Sequence, residues 1–287
     1  MTGPSAETAV RCWGCGALTE VAARLLPALY RGCPECGLRF QADRSAAELQ
    51  DLYDAGYFED YAGGDYSAAF RQRDHEAKVR VRLLRRFRKQ PGDLVEIGSA
   101  GGHFLARAGE HGYRALGVEP VAELAEGARR DLGVEVRVGF LDDVDLAASA
   151  YDVACAFHVI EHMTAPLDAL RVMRETLRPG GLLIVEVPNI ESFRARESGA
   201  SWGALEPLHH VSHFGPRALR TVMERAGFTV IGTETVPFYS YLHPRTAAQP
   251  RHLAHRAALS LRARVPLRGT HPDRHELLRA VATPAPE

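Results

Sequence analysis

Three features that would mark common classes of protein are missing from this chain of 287 residues. Its 35 Lys and Arg residues nearly cancel its 36 Asp and Glu residues, so it lacks the basic excess of a general nucleic-acid-binding surface. No apolar run approaches the roughly 20 residues that a membrane-spanning helix needs. The first residues contain no apolar signal segment. We therefore expect a cytoplasmic protein that does not span a membrane, with nucleic acid as a disfavoured partner.

Two common phosphate-binding motifs are also absent from the most glycine-rich turn of the chain. Residues 94–102 read Leu-Val-Glu-Ile-Gly-Ser-Ala-Gly-Gly, and a helical pattern begins at His103. A dinucleotide-binding turn requires the spacing G-x-G-x-x-G, and a P-loop requires Lys followed by Ser or Thr; neither is present. What remains is a strand, a tight turn and a helix, the arrangement with which open α/β sheets bind ligands at the carboxyl ends of their strands.

Two acidic residues near this turn indicate a nucleoside ligand of another kind. Glu96 lies at the end of the first strand, two residues before Gly98. Glu119 follows the apolar run 115–118, which predicts a second strand. A carboxylate at the tip of a parallel strand can accept hydrogen bonds from both hydroxyls of a ribose. The pattern therefore points to a ligand with a nucleoside part.

These residues resemble the first motif of the class I S-adenosylmethionine-dependent methyltransferases, whose turn reads acid-x-G-x-G-x-G. The matching segment is Glu96–Gly102, with Ala100 in place of the middle glycine. The resemblance continues through 151–162, similar to the family's fourth strand and its turn, and through 177–189, similar to a loop and the fifth strand. It covers roughly residues 90–240 and implies an enzyme that uses S-adenosylmethionine.

The resemblance also implies which residues hold this cofactor. Glu119 would bind the ribose. Phe140 or Leu141 would stack on the adenine, and Asp142 would lie near its exocyclic amine. The residues assigned to the cofactor are Glu96, Gly98, Ser99, Ala100, Gly102, Glu119, Phe140, Leu141, Asp142, Phe157, His158 and His162.

Apolar runs that alternate with helical patterns predict the fold. Predicted strands lie at 93–97, 114–118, 134–138, 152–157, 182–187 and 228–236. Predicted helices lie at 102–111, 121–131, 165–177 and 216–226. Strands separated by helices imply an α/β fold with a doubly wound, mostly parallel, Rossmann-like sheet.

Four segments are expected along the chain: a zinc-ribbon module at 1–44, a helical lid or linker at 45–90, the cofactor-binding domain at 91–240 and a basic, partly helical C-terminal extension at 241–287. Ser45 and Glu48 form the S-x-x-E pattern of a capping box. The arginines of the basic run 78–89 are predicted to form a solvated helix face. In the extension, a helix is predicted at 250–263 and disorder in the final dozen residues.

Four of the five cysteines form two pairs near the start of the chain, Cys12-x-x-Cys15 and Cys33-x-x-Cys36. The pairs are 17 residues apart, within the spacing of zinc-binding cysteine pairs. Four thiolates would close the tetrahedral shell of a structural Zn²⁺, whereas disulfides are disfavoured in a cytosolic protein. The metal would supply the folding energy that so short a segment lacks. Whether the ribbon is a substrate clamp, a dimer contact or a brace stays open, as does the oligomeric state.

Methyl transfer to a hydroxyl needs a group that removes the acceptor's proton, and histidine commonly does so near neutral pH. The candidates are His209, His210 and His213, in the long connection after the fifth strand. With Phe214 they resemble the His-His-x-x-His-Phe segment of one branch of the family. At least one is predicted to act as a base or to contact substrate; the alternative is that their imidazoles bind backbone carbonyl groups of a helix-entry loop.

A second histidine group, His158-x-x-Glu161-His162, follows the fourth strand. In the ubiquinone-type O-methyltransferases, a Glu-x-x-Glu-His segment at this place is linked to magnesium. His158 replaces the first Glu here, which makes the ligand set softer and less suited to Mg²⁺. We therefore expect Glu161 and His162 to brace the edge of the cofactor site and the loop that follows.

Several aromatic residues are candidates for substrate contact. The helices before the first strand commonly cover the cofactor in this family, and the connection after the fifth strand lies over the expected substrate mouth. The candidates in these two regions are Tyr57, Phe58, Tyr61, Tyr66 and Trp202. The alternative is that those before the first strand simply pack.

Three functions agree with the sequence. The first is methylation of a small molecule, such as a sugar or natural-product intermediate, with O-methylation favoured over C-methylation because nothing marks a carbanion-stabilising site. The second is an RNA methyltransferase that grips phosphates with the ribbon and the basic run 78–89, which the near-neutral charge disfavours. The third is a module that binds the cofactor without catalysis and uses the ribbon as a partner surface.

Overall fold

The computed structural model of the chain describes residues 10–25, 28–52, 66–242, 244–263 and 274–286. The first part contains a small antiparallel sheet with strands β1 (Glu20–Leu25), β2 (Ala28–Gly32) and β3 (Arg39–Phe40). Two helices follow, α1 (Ala46–Gln50) and α2 (Tyr66–Phe87). The predicted capping box is confirmed at α1, where the Ser45 hydroxyl accepts from the Glu48 N–H and the Glu48 carboxylate accepts from the Ser45 N–H.

The central part alternates strands and helices. Its elements are β4 (Asp93–Ile97), α3 (His103–Gly109), β5 (Arg114–Glu119), α4 (Ala122–Leu132), β6 (Glu135–Val138), β7 (Tyr151–Phe157), α5 (Pro166–Thr176), β8 (Leu177–Pro188), α6 (Phe193–Ser198), β9 (Ser212–His213), α7 (Pro216–Arg225), β10 (Phe228–Val236), α8 (Pro244–Ala247), α9 (Pro250–Ala263) and β11 (Leu277–Pro284). Each strand and helix predicted from the sequence is present within a few residues of its expected bounds.

The large sheet has the strand order β10-β11-β8-β7-β4-β5-β6. Neighbours from β8 to β6 are parallel, and β11 is antiparallel to both β10 and β8. The predicted doubly wound, mostly parallel α/β fold is therefore confirmed. The order reverses at β4, which pairs with β5 on one side and β7 on the other, and this is the place where such sheets bind ligands.

Both faces of the central strands are buried. Leu94 and Cys155 pack in one apolar cluster, together with α2, α3 and α4, whereas Val95 and Ala154 pack in a second cluster with α5 and α7. Because successive strand residues point to opposite faces, a strand covered on both sides needs an unbroken apolar sequence. This explains the continuous apolar runs from which the strands were predicted.

Two predictions about the sheet are wrong. The final dozen residues were expected to be disordered, yet β11 lies between β8 and β10 and pairs with both along its length. Cross-strand hydrogen bonds and burial offset the two prolines at and just after its end, Pro284 and Pro286. Residues 177–181 were expected to form a loop, but they belong to β8, which begins at Leu177 opposite Tyr151.

The cysteine-rich module is joined to the central part by a shared sheet and a shared core. Strand β9 pairs with β3, which gives the small sheet the order β1-β2-β3-β9. Leu38 and Phe40 pack in the same apolar cluster as Val222 and Met223 of α7. Among the helices within the described ranges, none is long and apolar enough to span a bilayer.

Candidate functional site

The turn after β4 has an unusual backbone conformation. Gly98, Ala100 and Gly102 all have positive φ, at 70°, 44° and 73°. A Cβ on Gly98 would lie 2.5 Å from the Val159 side chain, so only glycine fits. Ala100 holds the left-handed conformation with a side chain, a strained state of the kind that concentrates at binding sites.

Gly102 serves packing instead of ligand contact. A Cβ there would lie 2.9 Å from Ala128 Cβ on α4 and 2.8 Å from Val134, so glycine allows α3 and α4 to approach each other. Gly102 does not line the cavity described below, whereas Gly98, Ser99, Ala100 and Gly101 do.

Glu119 is fixed at the tip of β5 by backbone groups of the turn. Its Oε2 accepts from the Ala100 N–H at 2.8 Å, and its Oε1 accepts from the Val121 N–H at 3.0 Å. Burial raises the pKa of Glu119, although these two hydrogen bonds oppose the rise. Each carboxylate oxygen keeps a lone pair, so the side chain can still accept hydrogen bonds from a diol.

Two polar atoms beside the turn are buried and have no partner among the residues that the structure describes. They are Glu96 Oε2 and Ser99 Oγ, and both residues line the cavity. Burial raises the pKa of Glu96 well above its ordinary value. Buried polar groups in native proteins are nearly always satisfied, so these orphaned atoms fit a polar ligand bound at the turn.

A cavity of about 1200 Å³ opens at the carboxyl ends of the strands. Its walls include the turn, the loop with Phe140, Leu141 and Asp142 after β6, and the ends of β7 and β8. Of the residues assigned to the cofactor from the sequence, all but Gly102 line it: Glu96, Gly98, Ser99, Ala100, Glu119, Phe140, Leu141, Asp142, Phe157, His158 and His162. The residues that the sequence places far apart are thus brought together.

His158 is held between two carboxylates at the end of β7. Its Nδ1 lies 3.2 Å from Glu161 Oε1, and its Nε2 lies 3.3 Å from Glu186 Oε1. Burial alone would lower the pKa of His158, but the hydrogen bonds to Glu161 and Glu186 raise it to about 9. His158 is therefore an imidazolium at neutral pH.

Glu186 is the centre of a buried polar network that the sequence analysis missed. Arg80 lies 3.1 Å and Arg279 lies 2.9 Å from its oxygens, and the Tyr241 hydroxyl donates to it. Burial would raise the pKa of Glu186, but Arg80 and His158 hold it well below its ordinary value. The signal in the sequence was a lone acid within the apolar run 182–187.

The prediction that the arginines of 78–89 form a solvated face is wrong for Arg80. Its side chain is only 16% exposed, and its guanidinium lies 4.6 Å from the centre of the Phe157 ring. Arg80 and Phe157 both line the cavity. The helix therefore contributes a buried cation to the site in addition to its exposed arginines, such as Arg86.

The histidine segment, defined here as residues 207–213, also contributes to the wall of the cavity. His209 and His210 line the cavity, with Ala204, Glu206 and Leu208. His210 Nδ1 lies 2.8 Å from the Ala204 carbonyl oxygen. A carbonyl only accepts, so Nδ1 carries the proton in the neutral ring and Nε2 keeps the lone pair, 3.4 Å from Glu206 Oε2.

His213 and Trp202 lie behind this wall and do not line the cavity. The His213 ring is buried, with its centroid 5.1 Å from that of Tyr30 and 6.4 Å from that of Trp202. Burial lowers the pKa of His213 to about 3. The other aromatic candidates, Tyr57, Phe58 and Tyr61, lie outside the described residues, as does the side chain of Tyr66, the first residue of α2.

Two groups of side chains within the described ranges can hold a metal ion. Cys12, Cys15, Cys33 and Cys36 have ligand atoms within 4.8 Å of one another, and none forms a disulfide. The Gly14 and Cys36 N–H groups point at the Cys12 and Cys33 sulfurs, at 3.3 and 3.5 Å, as backbone does around bound thiolates. The second group is Glu161, His162 and His210.

Comparisons with known proteins bear on the family of this chain. A family model described as "Methyltransferase domain" matches residues 69–233, more than half of the chain. A ubiquinone biosynthesis O-methyltransferase of Cereibacter sphaeroides is 31% identical over 117 residues, 38% of this chain and 47% of that protein. A tRNA U34 carboxymethyltransferase of Desulfotalea psychrophila is 27% identical over 104 residues, 34% of this chain and 32% of that protein. The matches thus span less than half the length of these two relatives.

Solved structures agree about the fold. A methyltransferase of Thermotoga maritima that depends on S-adenosylmethionine superposes with a TM-score of 0.57 at 21% identity, over 84% of this chain and 100% of the other. At that identity the likeness concerns the fold. The matched methyltransferase domain covers more than half of the chain, and the glycine turn and the cavity agree with it. This chain therefore belongs to the class I S-adenosylmethionine-dependent methyltransferases.

Proposed function

We propose that the protein transfers a methyl group to a hydroxyl of a small-molecule acceptor, such as a sugar or a natural-product intermediate, with His210 as the general base. The observation that carries this proposal is the placement of His210. Its Nε2 lone pair is set by the Nδ1 hydrogen bond to Ala204, and it lines the same cavity as the glycine turn.

The cofactor is proposed to bind at the turn. Glu119 would accept from the ribose hydroxyls, the loop with Phe140 and Leu141 would flank the adenine, and Asp142 would lie near its exocyclic amine. The orphaned oxygens of Glu96 and Ser99 support a polar ligand there. When bound, S-adenosylmethionine supplies an electrophilic methyl group on a sulfonium centre, and the protein supplies orientation and proton handling.

The protonation states of two other histidines argue against them as the base. His158 already carries its proton at neutral pH, because its pKa is about 9. Burial lowers the pKa of His162 to about 3, so a proton taken up there would be poorly held. His210 instead has a carboxylate, Glu206, 3.4 Å from Nε2, which would stabilise the imidazolium formed when the acceptor hydroxyl loses its proton.

The test compares three histidine variants in an assay of S-adenosylhomocysteine release with a panel of sugars, nucleotide sugars and phenols. For His210→Gln we expect turnover to fall roughly 10²- to 10⁴-fold, the usual contribution of a general base. His209→Gln tests whether the neighbouring histidine, which also lines the cavity, contributes to turnover. His111→Gln is the control on the exposed surface. Full turnover by His210→Gln would refute the proposed base.

Analysis of the methylated product and RNA-binding measurements on the same protein distinguish the other functions. Carbon methylation would appear as a product that keeps all its hydroxyls. RNA methylation would require RNA affinity that falls steeply with salt, since phosphate contacts release counterions. The similarity to a tRNA-modifying enzyme is the reason to test RNA as an acceptor. The near-neutral charge of the chain favours a small acceptor instead. Cofactor binding without turnover on any acceptor would favour a non-catalytic module.

We also propose that the four cysteines bind a structural Zn²⁺. The hydrogen bond from Cys36 lowers the pKa of the Cys12 thiol to about 5, whereas the same contact raises the pKa of the Cys36 thiol. The supporting observation is the geometry, because the ligand atoms of the four cysteines lie within 4.8 Å of one another. All four ligand positions are filled by protein, which leaves no open position for chemistry at the metal.

A further inference from the structure

We propose that the cysteine ribbon positions the acceptor side of the site, and that Gln41 is the positioning residue through which it acts on His210. This inference rests on the proposed role of His210. The cysteine ribbon is defined here as residues 10–44, which contain the four cysteines, β1, β2 and β3.

The amide side chain of Gln41 joins the ribbon to the histidine segment. Gln41 is buried, and its Nε2 donates to the Pro207 carbonyl at 2.7 Å and to the Tyr30 hydroxyl at 2.8 Å. It also lies 3.3 Å from the His210 carbonyl. The Gln41 backbone N–H donates to the Val211 carbonyl at 2.9 Å. One residue therefore holds the chain on both sides of His210.

Other ribbon residues hold the rest of the segment. The Tyr30 hydroxyl donates to the His210 carbonyl at 3.2 Å, and Arg44 donates to the Leu208 carbonyl at 3.0 Å. Strand β3 pairs with β9, which ends at His213. The ribbon thus contacts the backbone of the segment before, at and after His210.

The opposite side of the segment is held by the turn that follows β7. The Val211 N–H donates to the Glu161 carbonyl at 2.9 Å, and the Ser212 hydroxyl donates to the Met163 carbonyl at 3.2 Å. The segment therefore lies between the ribbon and the turn with His162. The described residues that line the cavity begin at Ala46, so none of them belongs to the ribbon. We therefore expect the cofactor turn to keep its place when the ribbon contacts are removed.

The cysteine cluster is connected to Gln41 by a short stretch of hydrogen-bonded and closely packed residues. The Cys33 N–H donates to the Leu38 carbonyl at 2.9 Å, which closes the hairpin that carries the second cysteine pair. Leu38 and Phe40 are fully buried beside the cysteines, and Gln41 follows directly. A metal that orders this hairpin would therefore also order the start of the contact with His210.

The test uses the full-length chain with its metal content verified. Gln41→Met keeps the length of the side chain but removes the amide, and Arg39→Ala is the matched control, an exposed side chain two residues earlier on β3. Hydrogen exchange of residues 207–213 is followed by mass spectrometry, and affinity for S-adenosylhomocysteine by calorimetry. We expect Gln41→Met to speed exchange in 207–213 by about tenfold, the effect of losing roughly one net hydrogen bond, with cofactor affinity unchanged within about twofold.

Kinetics separate positioning from general stability. In Gln41→Met we expect turnover to fall while KM for the cofactor stays constant, because the backbone on both sides of His210 loses its contacts with the Gln41 amide. Arg39→Ala should match the parent protein in each readout. In both variants, the cadmium-substituted ribbon, followed by its thiolate absorption, should support the same turnover as the zinc form.

The outcomes distinguish this inference from the proposed function. Equal exchange of 207–213 in Gln41→Met and Arg39→Ala would overturn the positioning role, whatever the activities are. A loss of cofactor affinity that accompanies faster exchange would also overturn the positioning role, since the substitution would then disturb the whole domain. Faster exchange together with full turnover of His210→Gln would leave the ribbon contact standing and refute the base instead.

Discussion

At the scale of single residues, the surroundings of the histidines set them in different protonation states. His158 is an imidazolium because Glu161 and Glu186 flank it, whereas burial keeps His162 and His213 neutral. The spacing His158-x-x-Glu161 could be read from the sequence. The second carboxylate, on β8, could not be paired with His158 in advance, because its contact depends on the register of two parallel strands.

The charge on His158 predicts how stability depends on pH. Its pKa is raised from an ordinary value of about 6.5 to about 9, so its protonation stabilises the fold fully below pH ~6.5, and this contribution is lost as pH rises through ~9. We expect the Tm difference between the parent protein and His158→Gln to be largest at about pH 6 and small at about pH 10. Thermal unfolding across this range measures it.

His162 and His213 titrate in the opposite sense, since their pKa values are lowered, but they are present in both proteins and leave the difference unaffected. A Tm difference that stays constant with pH would contradict the charged state of His158.

Glu119 gives a second prediction at this scale. Replacing it with Ala removes both oxygens that fix the turn and that would hold the ribose, so we expect affinity for S-adenosylhomocysteine to fall about 100-fold, equivalent to two hydrogen bonds to a charged group. Calorimetry provides the measurement. Glu135→Ala, on the exposed side of β6, is the control, and a change of less than threefold in Glu119→Ala would exclude the assigned role.

At the scale of elements, the apolar runs identified the parallel strands, because a strand buried on both faces has an unbroken apolar sequence. Strand β11 was not predicted in this way. Arg279 interrupts its apolar run, and a basic residue within a buried strand argues against a core position unless its partner is known. The partner is Glu186, directly opposite on β8, so each of these two buried charges accounts for the other.

This pair predicts a strong effect of one substitution. In Arg279→Met, Glu186 loses a guanidinium at 2.9 Å and keeps its buried charge, so we expect the free energy of unfolding to fall by about 3 kcal/mol. Arg86→Met is the matched control, because Arg86 pairs with Glu234 but is 63% exposed, and its loss should cost no more than about 1 kcal/mol. Denaturant unfolding compares them, and equal effects would contradict the buried network.

At the scale of the whole molecule, the ribbon and the methyltransferase domain share one sheet and one core. The cysteine spacing predicted a metal-binding module, yet it left the module's role open. The role that we propose for it depends on contacts between Gln41 and residues more than 160 positions away in sequence, and no local pattern encodes a contact of that range.

The metal content provides a prediction at this scale. We expect about one zinc ion per chain by plasma mass spectrometry, lost in Cys33→Ser, with a lower Tm because the metal supplies folding energy to the ribbon. His111→Gln should retain the full zinc content. A second ion per chain that disappears in His210→Gln would place a metal at Glu161, His162 and His210, and would change the proposed chemistry of that histidine.

The position of β11 has a consequence for how the protein is made. During synthesis the chain emerges from its N-terminus, and β8 and β10 are complete well before residues 277–284 exist. Because β11 lies between them, the nascent sheet has a gap whose two unpaired borders can recruit strands of other chains. The methyltransferase sheet can therefore close only after β11 has left the ribosome, and we expect a chain stalled before residue 277 to expose these borders and to aggregate.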